Sequence, residues 1–302
     1  MESLKVSEQQ LPATLQNYLQ KHFQGAFSVR EIKAALELNR CTVNGEVERF
    51  GSRKLASGDT VTIIPFKKDD VSPIRHQFDS NRVLYEDAQL IAYDKPAGLS
   101  SIDHGLFELI KEVKGDLYPL HRLDKDTTGV LLFAKTKAAE ELLLDAFRKR
   151  RIRKRYLALV RGTLKKERGT VSSNLGKVSS YHGQTIMGSV SKGKGQHAET
   201  AWQVLKVGKG VSLLLLEPKT GRTHQIRSHM ASLGHPLIGD VQYGWKRPEG
   251  LCPKRFLLHA RSVSFLMEEG APPIHIKSPI PQDFANALNT FFGKVWKEER
   301  GI

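Results

Sequence analysis

The residues best suited to chemistry lie in one short polar segment, His121–Gly129, which reads His-Arg-Leu-Asp-Lys-Asp-Thr-Thr-Gly. Its carboxylates, Asp124 and Asp126, could supply a nucleophile or a general base beside groups that bind anions. The apolar run Val130–Ala134 follows directly and predicts a buried strand. Polar residues on a loop that a rigid strand supports are a common setting for an active site. A tight turn, in which a carboxylate accepts backbone N–H groups, would have the same composition, and position alone does not separate the two interpretations.

A second polar group belongs to a predicted helix, Thr223–Leu233. Three apolar residues recur on one face of it: Ile226, Met230 and Leu233. Gly234 follows at the position of a C-terminal cap. His224 and Arg227 then lie one turn apart on a neighbouring face. His224 and His229 are five positions apart, too far out of phase on a helix to share one metal ion comfortably, so we expect no metal here.

A run of positive charge precedes the aromatic residue Tyr156. Seven of the eight residues in Arg148–Arg155 are Lys or Arg, and the run is expected to continue a helix over Thr136–Arg148. Such a run is usually a solvated face, but this one adjoins the polar groups above. We therefore expect a track for phosphate groups.

Composition points to a folded protein that binds a polyanion. The chain has 302 residues with 47 Lys and Arg against 32 Asp and Glu, a formal net charge of +15. With 39% hydrophobic residues disorder is excluded for most of the chain, and nucleic acid is the first expected partner, ahead of an anionic membrane. Cys41 and Cys252 are too far apart to suggest a disulfide framework or a cysteine zinc site, which indicates the cytoplasm. We find no secretory signal and no apolar stretch near the ~18 residues that a membrane span needs.

The predicted elements divide into two folded domains. We expect a tail over 1–13, a small α/β domain over 14–66, a linker over 67–80 and a larger domain over 81–302. The small domain should hold two helices, the second with a capping box at Ser28-Val29-Arg30-Glu31, and a hairpin at Asn44-Gly45. The larger domain should be α+β, with helices flanking a large mixed or antiparallel sheet. Its candidate strands are Leu90–Tyr93, Gly129–Ala134, Tyr156–Val160, Ala201–Leu205 and Val211–Glu217. Its candidate helices are Thr136–Arg148, Thr223–Leu233 and Asp283–Phe292, and Ser189–Gln196 is expected to be a mobile loop.

The small domain resembles the S4-like RNA-binding module of a small-subunit ribosomal protein. The resemblance rests on Arg30 and Lys33, exposed together one turn apart, and on Arg40 leading into Val-Asn-Gly. It implies that these three residues contact RNA. A small docking domain with an ordinary charged surface is the alternative.

The larger domain resembles the RluA-type pseudouridine synthases over about residues 80–290. His-Arg-Leu-Asp-x-x-Thr-Thr-Gly matches the family signature, with Thr128 where serine is more usual. Further motifs follow in the family order: Lys95–Gly98, Lys154–Tyr156, Gly221–His229, Gly234–Asp240 and Leu257–Ala260. A sister family with glycine in place of His121 fits less well.

The resemblance implies three catalytic residues. Asp124 matches the catalytic aspartate, which either attacks the sugar or abstracts a proton from it, whereas Asp126 falls at a position that the family leaves variable and is expected to be structural. Arg227 matches the arginine that pairs with this aspartate, and Tyr156 matches the tyrosine that stacks on the target base. Leu258 is expected to form the apolar floor under the base or simply to pack in the core. Arg122 is expected to fill the gap that a flipped base leaves in the RNA, or only to anchor the loop.

The implied function is isomerisation of uridine to pseudouridine in RNA, without cofactor or metal. Further RNA contacts are expected from His121, Lys154, Arg155, Arg222 and His224. Large-subunit ribosomal RNA is the expected substrate, with a tRNA-directed isomerase or a non-catalytic RNA-binding or ribosome-assembly protein as alternatives. No membrane and no obligate protein partner are expected.

Overall fold

The computed structural model describes residues 2–38, 40–64, 77–102, 105–181, 184–208, 210–245, 253–267 and 270–293. The chain forms two compact units, Met1–His76 with Ser179–Thr185, and Gln77–Val178 with Ile186–Ile302. No helix within the described ranges is long and apolar enough to cross a bilayer. Cys252 and most of the predicted linker lie outside the described residues.

The first unit packs two helices on a small antiparallel sheet. The helices are α1 (Leu15–His22) and α2 (Val29–Glu37). The strands are β1 (Glu2–Lys5), β2 (Cys41–Val43), β3 (Glu46–Val47) and β4 (Thr60–Ile63), in the order β1-β4-β2-β3. The capping box forms as predicted, because Ser28 Oγ accepts the Glu31 N–H and Glu31 Oε2 accepts the Ser28 N–H. Asn44 and Gly45 both have positive φ, and they join β2 to β3 as the predicted hairpin turn.

The prediction of a tail over 1–13 is wrong, because residues of this segment pair with β4 as strand β1. Val6 is 2% exposed in the core of the unit. A four-residue strand with charged residues at both ends has almost no periodic signal. It forms because the edge of β4 offers unpaired backbone groups and the helices offer an apolar face.

The second unit is built on an eleven-stranded sheet, and its fold class is α+β as predicted. The strands follow the order β11-β10-β12-β13-β9-β14-β8-β6-β5, with β15 paired to β14 and β7 paired to β8. The strands are β5 (Val83–Glu86), β6 (Leu90–Lys95), β7 (Tyr118–Pro119), β8 (Thr128–Ala134), β9 (Arg153–Arg161), β10 (Arg168–Tyr181), β11 (Gln184–Val190), β12 (Gln196–Gly208), β13 (Val211–Pro218), β14 (Leu258–Phe265) and β15 (Ile274–Lys277). The helices are α3 (Leu106–Lys114), α4 (Lys137–Arg148), α5 (Gln225–Ser232) and α6 (Gln282–Phe292). The sheet is mixed, since β14 runs parallel to β8 and antiparallel to β9.

The alternation of side chains along β9 separates two cores. Tyr156 and Ala158 pack in the core that contains residues of α3 and α5. Leu157 and Leu159 pack with residues of α6. Residues of α4 cover a further part of the sheet. Tyr156 therefore faces the side on which α5 lies.

Three sequence predictions for this unit need correction. The polar strands β10 and β11 were missed, and together with β12 they reduce the loop predicted over Ser189–Gln196 to five residues between Val190 and Gln196. Leu233 is 40% exposed rather than part of an apolar stripe. The basic run does not continue a helix, since α4 ends at Arg148 and β9 begins at Arg153.

Candidate active site

The segment 121–127, here called the Asp124 loop, enters the sheet at its most enclosed strand. It leads directly into β8, whose residues are all buried. Gly129 has φ +112°, and a Cβ at this position would lie 2.2 Å from the carbonyl oxygen of Ala260 on β14. Only glycine lets the two parallel strands approach this closely. The end of the Asp124 loop is thereby held against the start of β14.

Backbone contacts hold the Asp124 loop from the other side. The Lys125 carbonyl accepts hydrogen bonds from Lys95 Nζ at 2.8 Å and from the Gly98 N–H at 3.0 Å. Ser101 Oγ accepts the Leu123 N–H at 2.9 Å and donates to the Leu123 carbonyl at 2.8 Å. Burial lowers the pKa of Lys95 to about 7, against the opposing effect of Asp126. The Lys-Pro-Ala-Gly motif therefore supports the loop.

Arg255 is a support that the sequence analysis missed. Its Nη1 donates to the carbonyls of Asp126 and Leu258, at 3.1 and 3.0 Å, and its Nη2 lies 3.3 Å from Thr128 Oγ1. Arg255 Nε donates to Oδ2 of Asp283, at the start of α6, at 2.6 Å. One buried guanidinium thus joins the Asp124 loop, β14 and α6. An arginine just before the apolar stretch Phe256–Leu258 was the available signal.

Arg227 lies between two carboxylates, and its closer partner is not the one predicted. Asp240 accepts from Nε at 2.8 Å and from Nη2 at 2.9 Å, whereas Nη1 is 3.5 Å from Asp124 Oδ2. Gln242 Oε1 accepts from Nη2 at 2.6 Å. Burial alone would lower the pKa of Arg227, but Asp240 outweighs it and the pKa is raised. Arg227 is thus a fixed cation that binds Asp240 in a bidentate manner, through Nε and Nη2, and contacts Asp124 through Nη1.

Asp240 ends the Gly234–Asp240 motif, and the sequence motif alone does not indicate that this carboxylate belongs to the site. It is 1% exposed. The signal was an isolated acidic residue after the buried stretch Leu237–Ile238, since a carboxylate in such a place needs a cation.

A cleft of about 530 Å³ opens beside these groups, and its lining includes Asp124, Tyr156, Arg227 and Leu258. The Asp124 side chain is 23% exposed, so it remains accessible from the cleft. Tyr156 and Leu258 are buried. Burial raises the pKa of Tyr156, and the charge of Asp124 raises it further, which keeps the phenol protonated at neutral pH. The structure therefore brings all three residues predicted to be catalytic to one cleft, with the predicted apolar residue.

Basic side chains are frequent in the lining of the cleft: Arg122, Arg148, Arg150, Lys154, Lys219 and Arg222. Arg122, Arg150 and Arg222 are exposed. Lys154 donates to the Thr220 carbonyl at 3.1 Å, and burial lowers its pKa to about 8. The basic side chains at the rim can bind an anionic polymer. One unit of that polymer can then enter the cleft and meet the carboxylate of Asp124.

The two cleft histidines are neutral and hydrogen-bonded. His121 Nε2 accepts the Leu132 N–H at 3.1 Å, and burial together with Lys154 lowers its pKa to about 3. His121 thus ties the Asp124 loop to β8. His224 Nδ1 lies 3.0 Å from the Tyr243 hydroxyl, and burial lowers the pKa of His224. His224 precedes α5 rather than lying in it, with a left-handed φ of 52°.

Four of the residues predicted to bind RNA do not line the cleft. Arg155 points away from the side of Lys154 and Tyr156 and bonds Glu217 at 3.0 Å, as strand alternation requires. Lys33, exposed in α2, and Arg40, just before β2, belong to the first unit. Arg30 is also in α2, but its side chain lies outside the described residues.

The described residues contain no group of three or more His, Cys, Asp or Glu that could hold a metal ion. His229 is 1% exposed and bonds Thr200 and Ser173 through its two ring nitrogens. Its partners are the hydroxyls of the core, so its role is structural.

Comparisons with known proteins agree with this geometry. Residues 89–232 match the RNA pseudouridylate synthase family. The ribosomal large subunit pseudouridine synthase C of Buchnera aphidicola subsp. Acyrthosiphon pisum is 35% identical over 78% of this chain and 81% of its own. An uncharacterized RNA pseudouridine synthase of Chlorobaculum parvum is 30% identical over 95% of this chain and 96% of its own.

Among solved structures, the human RNA pseudouridylate synthase domain containing 4 is similar with a TM-score of 0.57 and 26% identity, over 70% of this chain and 92% of its own. The matched ranges include the Asp124 loop and α5, which build the cleft. On this sequence similarity, the chain belongs to the RluA-type family of RNA pseudouridine synthases.

Proposed function

We propose that this enzyme isomerises uridine of large-subunit ribosomal RNA in the cleft described above, with Asp124, Tyr156 and Arg227 as its catalytic residues. The observation that carries the proposal is the contact of Asp124 with a buried Arg227, 3.5 Å away, which Asp240 holds in turn at 2.8 Å. An accessible carboxylate beside a fixed cation can act as a nucleophile or base without losing its orientation.

The reaction breaks two bonds and forms two. The N1–C1′ bond breaks, the uracil turns, and a C5–C1′ bond forms, while C5 loses a proton and N1 gains one. Asp124 either attacks C1′ or removes a sugar proton to give a glycal, and both routes place one carboxylate oxygen at the sugar. Atoms and charge balance without a redox step, in line with the expectation that no cofactor takes part.

The base must reach the cleft before it can react. A uracil stacked in RNA is out of reach, so it must be flipped at a cost of a few kcal/mol. Tyr156 and Leu258 offer aromatic and apolar faces for the extruded ring. Arg122, exposed on the Asp124 loop, is suited to stack in the gap that the base leaves.

Two observations support ribosomal RNA as the substrate. The relative from Buchnera aphidicola carries a name that refers to the large ribosomal subunit. The first unit, with Lys33 exposed on α2, supplies a further candidate surface for RNA. A tRNA substrate is the alternative, and the experiment below separates the two.

The test is to map pseudouridine by chemical derivatisation in RNA from cells with the gene, without it, and with Asp124→Asn. We expect modified positions in large-subunit ribosomal RNA that vanish both without the gene and with Asp124→Asn. Purified Asp124→Asn should bind the same RNA within a few-fold of wild type, since its shape is preserved. Asp116→Asn is the matched control, because Asp116 is 85% exposed and does not line the cleft.

Appreciable turnover by Asp124→Asn would remove Asp124 from its proposed role. Modified positions confined to tRNA would refute the ribosomal substrate while leaving the chemistry intact. A wild-type enzyme without turnover on any RNA would point to a binding protein that keeps the fold.

A further inference from the structure

The hydroxyl of Tyr243 links strand β11 to the cleft. The Met187 N–H donates to it at 2.9 Å, and His224 Nδ1 lies 3.0 Å from it. The Tyr243 ring also lies under the guanidinium of Arg227, 4.8 Å from its carbon to the ring centre. One side chain therefore contacts a strand backbone, a cleft histidine and the cation beside Asp124.

These contacts assign the proton on His224. Burial raises the pKa of Tyr243 to about 12, so the phenol keeps its single proton at neutral pH. Met187 already donates to the oxygen, and in the described part of the chain the only acceptor in contact with the hydroxyl is His224 Nδ1. Since burial lowers the pKa of His224, its imidazole is neutral. A neutral imidazole that accepts at Nδ1 carries its own proton on Nε2.

His224 Nε2 is free to meet a ligand. No hydrogen-bond partner for it occurs among the described residues, and His224 lines the cleft with Asp124 and Tyr156. The pKa of His224 is lowered mainly by burial. The charges of Arg227 and Arg122 also lower it, and those of Asp124 and Asp240 oppose the shift. The exposed cations at the rim suit phosphate, whereas a neutral N–H inside the cleft suits an uncharged carbonyl oxygen.

We propose that His224, held by Tyr243 in the tautomer with its proton on Nε2, is a specificity-determining residue that donates to the C4 carbonyl oxygen of the target uracil. This proposal rests on the proposed function only in placing a uracil in the cleft. Cytosine carries an amino group at C4, so it would face the Nε2–H with a second donor and leave both unpaired. A site built around a hydrogen bond discriminates in this way against the base that cannot make it.

The tautomer is tested first, by ¹⁵N NMR of the imidazole nitrogens in the full-length chain, with His224→Gln used to assign the signals. We expect Nδ1 of His224 to be unprotonated and Nε2 to be protonated. Tyr243→Phe should abolish this fixed pattern. Tyr85→Phe is the matched control, because it also removes one hydroxyl, which bonds Asp87 and does not line the cleft. A proton found on Nδ1 in the wild type would overturn the proposal.

The base preference is tested with uridine 5′-monophosphate and cytidine 5′-monophosphate, which share ribose and phosphate. In wild type we expect the uridine nucleotide to bind about tenfold more tightly and to shift the His224 Nε2 signal. His224→Ala should remove this preference. His224→Gln should keep most of it, because the glutamine amide can place an N–H near the same point. Tyr243→Phe alone should weaken the preference for the uridine nucleotide. Added to His224→Gln, the same substitution should leave that preference unchanged, because Tyr243 acts only through His224.

Equal binding of the two nucleotides in wild type, or equal losses in His224→Ala, would refute the proposal and indicate a contact to ribose or phosphate. These outcomes are independent of turnover. An enzyme that fails to isomerise RNA would refute the proposed function, and the NMR result would still stand or fall separately.

Discussion

At the scale of single residues, the least expected feature is that one arginine serves two carboxylates. Arg227 gives two nitrogens to Asp240 and only a 3.5 Å contact to Asp124. Asp240 is buried whereas Asp124 is partly exposed, so the inner carboxylate fixes the cation and leaves the outer one open to the cleft. The orientation of Asp124 therefore depends on a residue that does not line the cleft.

We predict that Asp240→Asn lowers both turnover and stability. Asparagine removes the closer of the two negative charges beside the buried Arg227 and leaves only the 3.5 Å contact with Asp124, so we expect a loss of up to about 3–5 kcal/mol in the free energy of unfolding. A misplaced Arg227 should also lower kcat by about 100-fold with little change in KM. Denaturant titration and steady-state kinetics measure the two effects.

Glu217→Gln is the control for Asp240→Asn. Glu217 also pairs with arginines, Arg153 and Arg155, but it is more exposed and does not line the cleft. We expect a small loss of stability and unchanged kcat. Full turnover by Asp240→Asn would show that the Asp240 carboxylate is not required to position Arg227 for the reaction.

Two buried histidines outside the cleft, His259 and His229, should make the protein less stable at acidic pH. Burial lowers the pKa of His259 to about 3 and that of His229 to about 4. The unfolded chain binds protons near the ordinary histidine pKa of about 6.5. As the pH falls below about 6.5 the unfolded state gains protons that the folded state does not, so the free energy of unfolding decreases, by up to about 1.4 kcal/mol per pH unit for each histidine.

The measurement is a series of urea titrations between pH 6.5 and 5, where carboxylates have largely kept their charge. In His229→Gln the slope of stability against pH should fall by about one proton. An unchanged slope would mean that His229 is protonated in the folded protein.

At the scale of elements, the site depends on how closely β8 and β14 approach. Gly129 and Ala260 are direct neighbours in this parallel pair, and a Cβ on Gly129 would overlap the Ala260 carbonyl. Arg255 bridges the same two strands and adds α6 through Asp283. The position of the Asp124 loop over Leu258 is thus set by strand packing as well as by the loop.

Gly129→Ala should therefore be much more harmful than another alanine at positive φ. Gly115 has φ +82° and ψ −151° with nothing within 4 Å of an added Cβ, so Gly115→Ala should cost only the backbone strain, about 1–3 kcal/mol. Gly129→Ala adds a steric overlap worth about 1–3 kcal/mol more and should also reduce turnover. Thermal unfolding and kinetics of both variants decide this, and equal losses in the two would contradict the close approach.

At the scale of the whole molecule, the chain has two units with separate cores. The first unit has a closed set of buried apolar residues from both helices and from its sheet. The second contains every residue of the cleft. This division matches the proposal that one unit adds RNA affinity while the other performs the reaction.

Deleting residues 1–76 should leave a folded catalytic unit, because that unit keeps its own cores. We expect turnover at high RNA concentration, weaker binding, and a shallower dependence of affinity on salt, since phosphate contacts are lost. Circular dichroism and binding titrations at several salt concentrations provide the measurements. Unchanged affinity and salt dependence would show that the first unit does not contact RNA.

Several elements of both units were predictable because their sequence patterns are local. The apolar run before Ala134, the capping residues around Ser28 and the Asn44-Gly45 turn all act over a few neighbouring residues, and each produced its expected element. The motif order also identified the family and the residues that meet in the cleft. Local patterns failed where stability comes from distant partners, as in β1, β10 and β11.

The contacts of Arg227 with Asp240 and of Arg255 with Asp126 could not be predicted from the sequence alone. Asp240 follows Arg227 by thirteen positions and Arg255 lies far from Asp126, and no periodicity links either pair. Their pairing arises because a buried charge must find an opposite charge or a carbonyl wherever the folded backbone presents one. Residue types and motifs thus specified the chemistry and the family, whereas the choice of partner for each buried charge followed from the packing of strands and helices around it.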